Sequence, residues 1–260
     1  MTAPSFDPQA ETFDRRAGLP AAAVEAVAAA LSNWTSQGRV LEIGAGTGQL
    51  GVAIADNALY FGMDLSLALL AVARRRSPLP SRLLQANANH RWPFRDHSAR
   101  VVFAARTAHL LDDEHFTTEV LRVVEPNGHL LLGRIERAEG SARRILQRAL
   151  RGMLAERGIE ARQGGSGQRK TIDALIRRGA SASPRVLAAS WSAPERPLDI
   201  LESWRSKPGL AGRALPHEVQ HRVLDRLEAW AREHMGPLDA ARAGEAIYEI
   251  THVQLPAENR

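Results

Sequence analysis

VLEIGAGTGQLG, residues 40–51, joins an apolar run to a turn with glycine at positions 44, 46, 48 and 51. A buried strand that enters a glycine-rich turn at the start of a helix is a common nucleotide cradle, because glycine tolerates positive φ and lets the backbone approach a ligand. This stretch therefore predicts a ligand-binding loop after the first strand of an α/β fold.

The spacing of this loop excludes two common nucleotide sites. A dinucleotide fingerprint, G-x-G-x-x-G, needs glycine at position 49, where the chain has Gln49. A phosphate loop needs G-K-[ST], and lysine occurs only at positions 170 and 207. Glu42, just before the turn, disfavours a pyrophosphate and favours a ligand that carries an ammonium group.

The composition is that of a soluble globular protein. The chain has 260 residues, 44% of them hydrophobic and 24% charged, which suits one large domain or one domain with an elaboration. It has no cysteine, no apolar run of about 18 residues, and no signal-peptide pattern in residues 1–16. We therefore expect a cytoplasmic enzyme that does not span a membrane.

The positive charge raises the question of nucleic-acid binding. The formal net charge is +5 and the sequence pI is about 10.5. All but two of the 34 basic residues are arginine, which a GC-rich coding bias would also produce. We interpret the charge as a solvated arginine-rich surface and expect no nucleic-acid partner.

The first half of the chain alternates between strand and helix patterns. We predict helices at 20–34, 48–56, 67–76 and 112–124, and strands at 39–45, 58–64, within 78–88, 99–105 and 129–136. This alternation predicts a doubly wound, mostly parallel, Rossmann-like α/β sheet, in which ligands bind at the C-terminal ends of strands. The turn EPNG, residues 125–128, precedes the fifth strand.

The pattern changes beyond residue 138. We predict helices at 141–161, 171–180, about 197–206 and 216–234, and two more strands at 184–193 and 244–255, which makes a seven-stranded sheet. We expect a single domain over residues 1–260. Its core takes about 20–137 plus the last two strands, and a helical lid takes about 138–183 and 195–240, with GGSG at 164–167 as a flexible break.

Several segments together resemble one family. The pattern E-x-G-x-G-x-G at 42–48 resembles motif I of the class I S-adenosylmethionine-dependent methyltransferases. ANANHRWPF, 86–94, resembles the family's D-A-x-x-L-P-F segment, and EPNGHLLL, 125–132, resembles its P-G-G turn. FDPQAETFDRR, 6–16, resembles the F-D-x-x-A-x-x-Y-D-x-x-R segment of the ubiquinone-biosynthesis-like, methyltransferase type 11 branch. The similarity covers residues 6–136, and 204–239 looks like the C-terminal part of a broad group of such enzymes.

This resemblance implies S-adenosylmethionine as the cofactor. Asp64 would accept both ribose hydroxyls, although it could instead cap the helix at 67–76. Asn87 stands where the family has Asp and would accept the adenine amino group. Phe13 would stack near the cofactor and Arg16 would pair with its carboxylate, or both would belong to an arm packed on the surface. The full implied set is Phe13, Arg16, Glu42, Gly44, Ala45, Gly46, Gly48, Asp64, Leu65, Asn87, Ala88 and Arg106.

Catalysis leaves few marks in the sequence, because a sulfonium is already an activated methyl donor and the protein mainly aligns donor and acceptor. His109 follows the fourth strand and is the candidate base or orienting residue, with structural packing as the alternative. His217 and His221 share a helix face but lack a third ligand, so we expect no metal.

The leading hypothesis is a methyltransferase that acts on a small molecule through an oxygen, nitrogen or carbon atom. An RNA or protein methyltransferase is the first alternative, suggested by a set of arginines on one helix, although no N-P-P-Y-type segment follows the fourth strand. Those arginines are Arg143, Arg144, Arg148, Arg151 and Arg157. A protein that binds the cofactor without methyl transfer is the second alternative. Its binding motifs would be identical. The oligomeric state stays open.

Overall fold

The computed structural model describes residues 7–36, 38–76, 82–161, 166–206 and 209–257. They divide into two compact units. The first unit takes the described residues of 1–135, 165–189 and 248–260, and the second takes those of 136–164 and 190–247. The candidate cofactor residues all fall in the first unit.

Within the described residues the chain forms eight strands of one sheet. They are β1 Arg39–Ile43, β2 Leu59–Asp64, β3 Leu83–Gln85, β4 Ala99–Ala105, β5 Val124–Arg137, β6 Ser181–Ala182, β7 Val186–Glu195 and β8 Arg242–Gln254. The order is β3-β2-β1-β4-β5-β8-β6, and β7 pairs with β8. All pairs from β3 to β5 are parallel, whereas β6 and β8 are antiparallel.

The predicted mostly parallel, doubly wound fold is therefore confirmed, with one strand more than the seven expected. The additional strand is β6, which has only two residues and is too short to show the alternation from which strands are predicted. The turn predicted at 125–128 lies inside β5. There Asn127 has φ +58°, and the register with β4 shifts between Ala99 and Val101, so this segment is an irregular part of the strand.

Nine helices lie in the described part of the chain. They are α1 Phe13–Ala17, α2 Ala21–Thr35, α3 Gln49–Ala55, α4 Leu67–Arg76, α5 Asp113–Val123, α6 Ala142–Ala155, α7 Ser166–Arg177, α8 Pro197–Arg205 and α9 His217–Met235. Short 3-10 turns cover Asp7–Thr12 and Ala108–Leu110. Capping explains two of the starts, since Asp112 accepts the His115 N–H at 2.8 Å and Ser141 accepts the Arg144 N–H at 3.3 Å.

The core of the first unit is built on the central strands. Val102, Phe103 and Leu131 are fully buried, because helices cover both faces of a parallel sheet. α7 belongs to this unit and packs on α5, and its Leu175 is fully buried. α7 falls inside the region predicted as a lid. The lid itself stays a prediction.

The second unit has an apolar core of its own. α6, α8 and α9 pack on one another and contribute buried side chains such as Leu146, Trp204 and Leu227. Charged side chains such as Arg226 and Glu156, which form an ion pair, lie on the exposed side of these amphipathic helices. In the part of the chain that the structure describes, no helix is both long enough and apolar enough to cross a bilayer.

Candidate functional site

The glycine loop between β1 and α3 adopts the conformation that its spacing predicts. Gly44, Gly46 and Gly48 have φ of +75°, +55° and +72°, a region that side-chain-bearing residues rarely adopt. The N–H groups of Gly44 and Ala45 donate to the Met63 carbonyl oxygen at 2.8 and 3.0 Å. The loop is therefore fixed to the end of β2.

The three glycines differ in what surrounds them. A Cβ at Gly44 would clash with the Thr107 hydroxyl, and one at Gly48 would lie 3.0 Å from the Ala73 Cβ. At Gly46 the nearest atom would be a backbone oxygen 4.0 Å away. Gly44 and Gly48 are thus required by packing as well as by φ, while Gly46 faces open space in which a ligand could lie.

Asp64 lies beside that open space. Its carboxylate accepts the Gly46 N–H at 2.9 Å and the Ser66 N–H at 2.8 Å. Burial raises the pKa of Asp64 above its usual value, and these two hydrogen bonds oppose the shift. The N-terminus of α4 is capped by Ser66, whose hydroxyl oxygen accepts the Leu69 N–H at 3.1 Å. Asp64 thus holds the loop, and Ser66 caps the helix.

This arrangement fits an adenosine-containing cofactor. An ionised carboxylate only accepts hydrogen bonds, so Asp64 beside the open Gly46 suits a ligand that presents hydroxyl donors, as a ribose does. The next residue, Leu65, is 40% exposed and offers apolar surface at the same place. The residues present therefore fit the cofactor that the sequence implies.

Asn87 and Ala88 follow β3, which neighbours β2 in the sheet. The Asn87 side-chain oxygen accepts the Asn89 N–H at 2.9 Å, and the Ala88 carbonyl oxygen accepts the Trp92 indole N–H at 3.1 Å. The Asn89 side-chain oxygen in turn accepts the Asp112 N–H at 2.8 Å. These bonds fix the loop at the same edge of the sheet as Asp64.

Glu42 is buried near the end of β1. Its side chain is 2% exposed, and its Oε2 accepts the Tyr60 hydroxyl at 2.6 Å. Burial raises the pKa of Glu42 to about 8 and that of Tyr60 well above its usual value. A Cβ at Gly51 would clash with the Tyr60 hydroxyl, and one at Gly62 would lie 2.6 Å from it. Tyr60 was missed from sequence, and Gly51, the glycine beyond the motif, was the available signal.

The N-terminal arm, residues 7–19, is bound to the glycine loop. Asp14 accepts the Thr47 hydroxyl at 2.6 Å and forms an ion pair with Arg76. Leu19 and Gln49 exchange two hydrogen bonds, each of 2.9 Å, between the Leu19 backbone and the Gln49 side chain. The arm therefore contacts the C-terminal part of the loop and the start of α3.

The arm carries two predicted cofactor residues, Phe13 and Arg16, and the contact of each with a cofactor stays a prediction. Phe13 packs with Ala10 against Leu69 and Val72 of α4. Arg16 lies in α1, but its side chain is outside the part of the chain that the structure describes. The pairing of Arg16 with a cofactor carboxylate stays a prediction.

Arg106 and His109 follow β4. Arg106 has φ +59°, its N–H donates to the Gly133 carbonyl oxygen at 2.9 Å, and its guanidinium donates to the Ala17 carbonyl oxygen of the arm. His109 lies on the 3-10 turn Ala108–Leu110 and is exposed. Both residues therefore lie at the C-terminal end of β4, beside the glycine loop of β1.

A further group, absent from the sequence prediction, lies near Arg106. The Tyr248 side chain of β8 is fully buried, and its hydroxyl has no hydrogen-bond partner among the described residues. The hydroxyl lies against Gly133, where a Cβ would clash with it. No motif marked this tyrosine, and only the glycine on the neighbouring strand hinted at a large side chain.

The structure thus gathers the predicted residues of β1 to β4 at one edge of the sheet. It also places His217 and His221 together on α9, with ring centroids 4.0 Å apart. Among the described residues no group of three or more His, Cys, Asp or Glu side chains is placed to hold a metal ion.

Comparisons with known proteins agree with this geometry. Residues 41–132 match a family model described as a methyltransferase domain. No match was found among curated proteins. The YcgJ protein of Bacillus subtilis has a similar structure, with a TM-score of 0.56, 16% identity, and coverage of 90% of this chain and 98% of that one.

Two further structures share the fold. A geranyl diphosphate methyltransferase in complex with S-adenosylmethionine has a TM-score of 0.51 and 12% identity, over 90% of this chain and 85% of that one. The [4+2]-cyclase SpnF has a TM-score of 0.52 and 14% identity, over 99% of each chain. At such identities the likeness is one of fold.

Proposed function

We propose that the chain, whose residues 41–132 match a methyltransferase-domain model, is a class I S-adenosylmethionine-dependent methyltransferase that transfers the cofactor's methyl group to a small-molecule acceptor. The observation that carries the cofactor site is the open Gly46 beside the Asp64 carboxylate. A cytoplasmic location, as expected from the sequence, is part of the same proposal.

Different residues of the site bind different parts of the cofactor. In our proposal Asp64 accepts the ribose hydroxyls, Asn87 and Ala88 contact the adenine, and Leu65 packs on it. Gly46 leaves room for close approach of the backbone. The bound cofactor supplies a methyl group on a sulfonium, which needs no further activation.

His109 is our candidate for the acceptor side. It is exposed at the C-terminal end of β4, where an acceptor could reach it. If the acceptor atom must lose a proton, His109 would take it or would orient the acceptor. His109→Ala should then lower kcat and leave the Kd of S-adenosylhomocysteine unchanged.

The choice of a small acceptor rests on the charges of α6. Arg144 and Arg148 both form ion pairs with Glu139, and Arg157 donates to the Met153 carbonyl oxygen. Arginines paired within the chain are less available to the phosphates of a polymer. We also propose that the helical lid expected at about 138–183 and 195–240 selects the acceptor. Hydrogen exchange in α6, α8 and α9 should slow when cofactor and acceptor are both bound.

Calorimetric titration tests the cofactor assignment. The purified protein should bind S-adenosylmethionine and S-adenosylhomocysteine but not NAD, because position 49 is Gln49 in place of a glycine. Tight NAD binding without a response to S-adenosylhomocysteine would overturn the assignment.

The alternatives need separate measurements. RNA binding at physiological salt that weakens steeply when Arg144 and Arg148 are neutralised would favour a polymer acceptor. A protein that binds the cofactor but releases no S-adenosylhomocysteine with any acceptor class would favour a member of the fold with another chemistry. SpnF, described as a cyclase, shows the same fold in a protein named for a different reaction.

A further inference from the structure

Tyr248 is a buried polar group that the proposed function leaves unexplained. The side chain is fully buried, and its hydroxyl has no hydrogen-bond partner among the described residues. A buried hydroxyl without a partner costs free energy, and such groups are uncommon in folded proteins. Because the protein keeps this unfavourable group, we expect the Tyr248 hydroxyl to form a hydrogen bond with a ligand when that ligand binds.

The Tyr248 hydroxyl fits against the backbone because the neighbouring residue is a glycine. Gly133 of β5 lies against the hydroxyl, and any side chain at that position would clash with Tyr248. The Gly133 carbonyl oxygen accepts the Arg106 N–H at 2.9 Å, so Tyr248 lies at the C-terminal end of β4. That is the edge of the sheet at which this fold binds ligands.

Arg106 supplies a second, independent observation at the same place. Its φ of +59° is strained for a residue with a side chain, and such strain concentrates where ligands bind. Its guanidinium donates to the Ala17 carbonyl oxygen, a neutral acceptor on the N-terminal arm. A charged acceptor would form a stronger bond with the same guanidinium.

The sheet order indicates which part of a ligand would reach Tyr248. The proposed adenine and ribose residues lie on β3 and β2, and the glycine loop follows β1. An extended cofactor would therefore continue toward β4 and β5, with its amino-acid end nearest Arg106 and Gly133.

The local charge favours the carboxylate of that end. Burial raises the pKa of the Tyr248 hydroxyl, so it remains a neutral donor, and the charged side chains that act on it are those of Arg106 and Glu42. Burial raises the pKa of Glu42 to about 8, so its carboxyl group is mostly protonated at pH 7. Arg106 is left as the dominant charge, and it is positive.

We propose that the Tyr248 hydroxyl, together with Arg106, forms a buried subsite that hydrogen-bonds the carboxylate of the cofactor's amino-acid end. The carboxylate takes the place of the Ala17 carbonyl oxygen on Arg106 and accepts the hydroxyl proton of Tyr248 in a hydrogen bond. This inference rests on the proposed function, since it needs the cofactor to bind at the glycine loop.

Two tyrosines provide a matched test, since they are the only ones in the chain and both are fully buried or nearly so. In the free protein, Tyr248→Phe removes a hydroxyl that has no hydrogen-bond partner among the described residues, and it should leave the melting temperature unchanged or raise it. Tyr60→Phe removes the hydroxyl that donates to Glu42 and should lower the melting temperature.

Calorimetry on the full chain then compares two probes. S-adenosylhomocysteine carries the amino-acid end, and 5′-methylthioadenosine lacks it. Tyr248→Phe should weaken S-adenosylhomocysteine roughly tenfold or more and leave 5′-methylthioadenosine unchanged. An unchanged affinity for S-adenosylhomocysteine, or an equal loss for both probes, would overturn the proposal. Failure of the wild-type protein to bind either probe would instead count against the proposed function.

A second measurement keeps the wild-type hydroxyls in place. Replacing both tyrosines by 3-fluorotyrosine gives two ¹⁹F resonances, which the Tyr60→Phe variant assigns. S-adenosylhomocysteine should shift the Tyr248 resonance, and 5′-methylthioadenosine should shift it much less. Identical shifts with the two probes would contradict a contact with the carboxylate.

Discussion

The Tyr60 hydroxyl donates a 2.6 Å hydrogen bond to Oε2 of Glu42, and both side chains are buried beneath the glycine loop. The pair joins β1 to β2 and places a titratable acid where no solvent reaches it. Because burial raises the pKa of Glu42 to about 8, its carboxyl group is mostly protonated at pH 7. Glu42 therefore acts as a structural hydrogen-bond acceptor in the free protein.

This pair predicts a pH-dependent effect of Glu42→Gln. The pKa of Glu42 is 4.5 in a model compound and about 8 in the fold, so folding binds a proton between these values and stability falls as pH rises through them. Glutamine keeps an acceptor for Tyr60 and cannot ionise. The variant should match the wild type near pH 5 and exceed it near pH 9 by on the order of 2 to 4 kcal/mol. Urea unfolding at both pH values measures this, and a difference that does not change with pH would contradict it.

Gly51→Ala should displace Tyr60 from Glu42. The added Cβ would clash with the Tyr60 hydroxyl, so we expect a loss of about 1 to 3 kcal/mol of unfolding free energy. Gly152→Ala is the matched control, because a Cβ there meets nothing within 4 Å and the position is inside α6. The control should gain about 0.5 to 1 kcal/mol. Equal effects of both changes on thermal unfolding would refute the packing argument.

Asp64→Ala should weaken the binding of S-adenosylhomocysteine by about 1.5 to 3 kcal/mol, since hydrogen bonds to a charged carboxylate are lost. Asp56→Ala, a change at the exposed end of α3, is the control and should bind normally. The measurement is calorimetric titration, with circular dichroism to verify folding. Normal affinity in a folded Asp64→Ala variant would show that Asp64 serves only to hold the loop.

His129 should make the protein sensitive to acid. Its Nδ1 lies 3.0 Å from Nε2 of His252, and burial, together with His252 and Arg100, lowers its pKa to about 4. The unfolded chain takes up a proton near pH 6.5, so stability is complete above that pH and falls as pH drops toward 4. His129→Gln should reduce this slope in melting temperatures measured from pH 7.5 to 4.5. A slope equal to that of the wild type would exclude His129 as the cause.

The sequence predicted those features that depend on local spacing. Glycines at 44, 46 and 48 indicated a turn with positive φ, and all three adopt it. Strand and helix alternation indicated a parallel sheet, because each crossover leaves its own apolar pattern. Thus the position of the loop at the end of β1 was predictable.

The sequence did not reveal contacts between distant strands. Alternation shows which face a residue occupies, but not which side chain lies opposite. Tyr60 and Glu42 are 18 positions apart and on neighbouring strands, and Tyr248 meets Gly133 across β8 and β5. The contact of Glu42 with a ligand stays a prediction, and in the free protein its hydrogen-bond partner is Tyr60.

The position of β8 in the sheet has a consequence for synthesis. β8 pairs with β5 and β6 although it follows both in sequence, and its last residue, Gln254, lies 117 positions after Arg137, the end of β5. At a translation rate of about 5 to 20 residues per second, β8 is synthesised on the order of 10 s after β5. During that interval its edge is an unpaired strand at the ribosome, open to wrong partners until the final strand arrives.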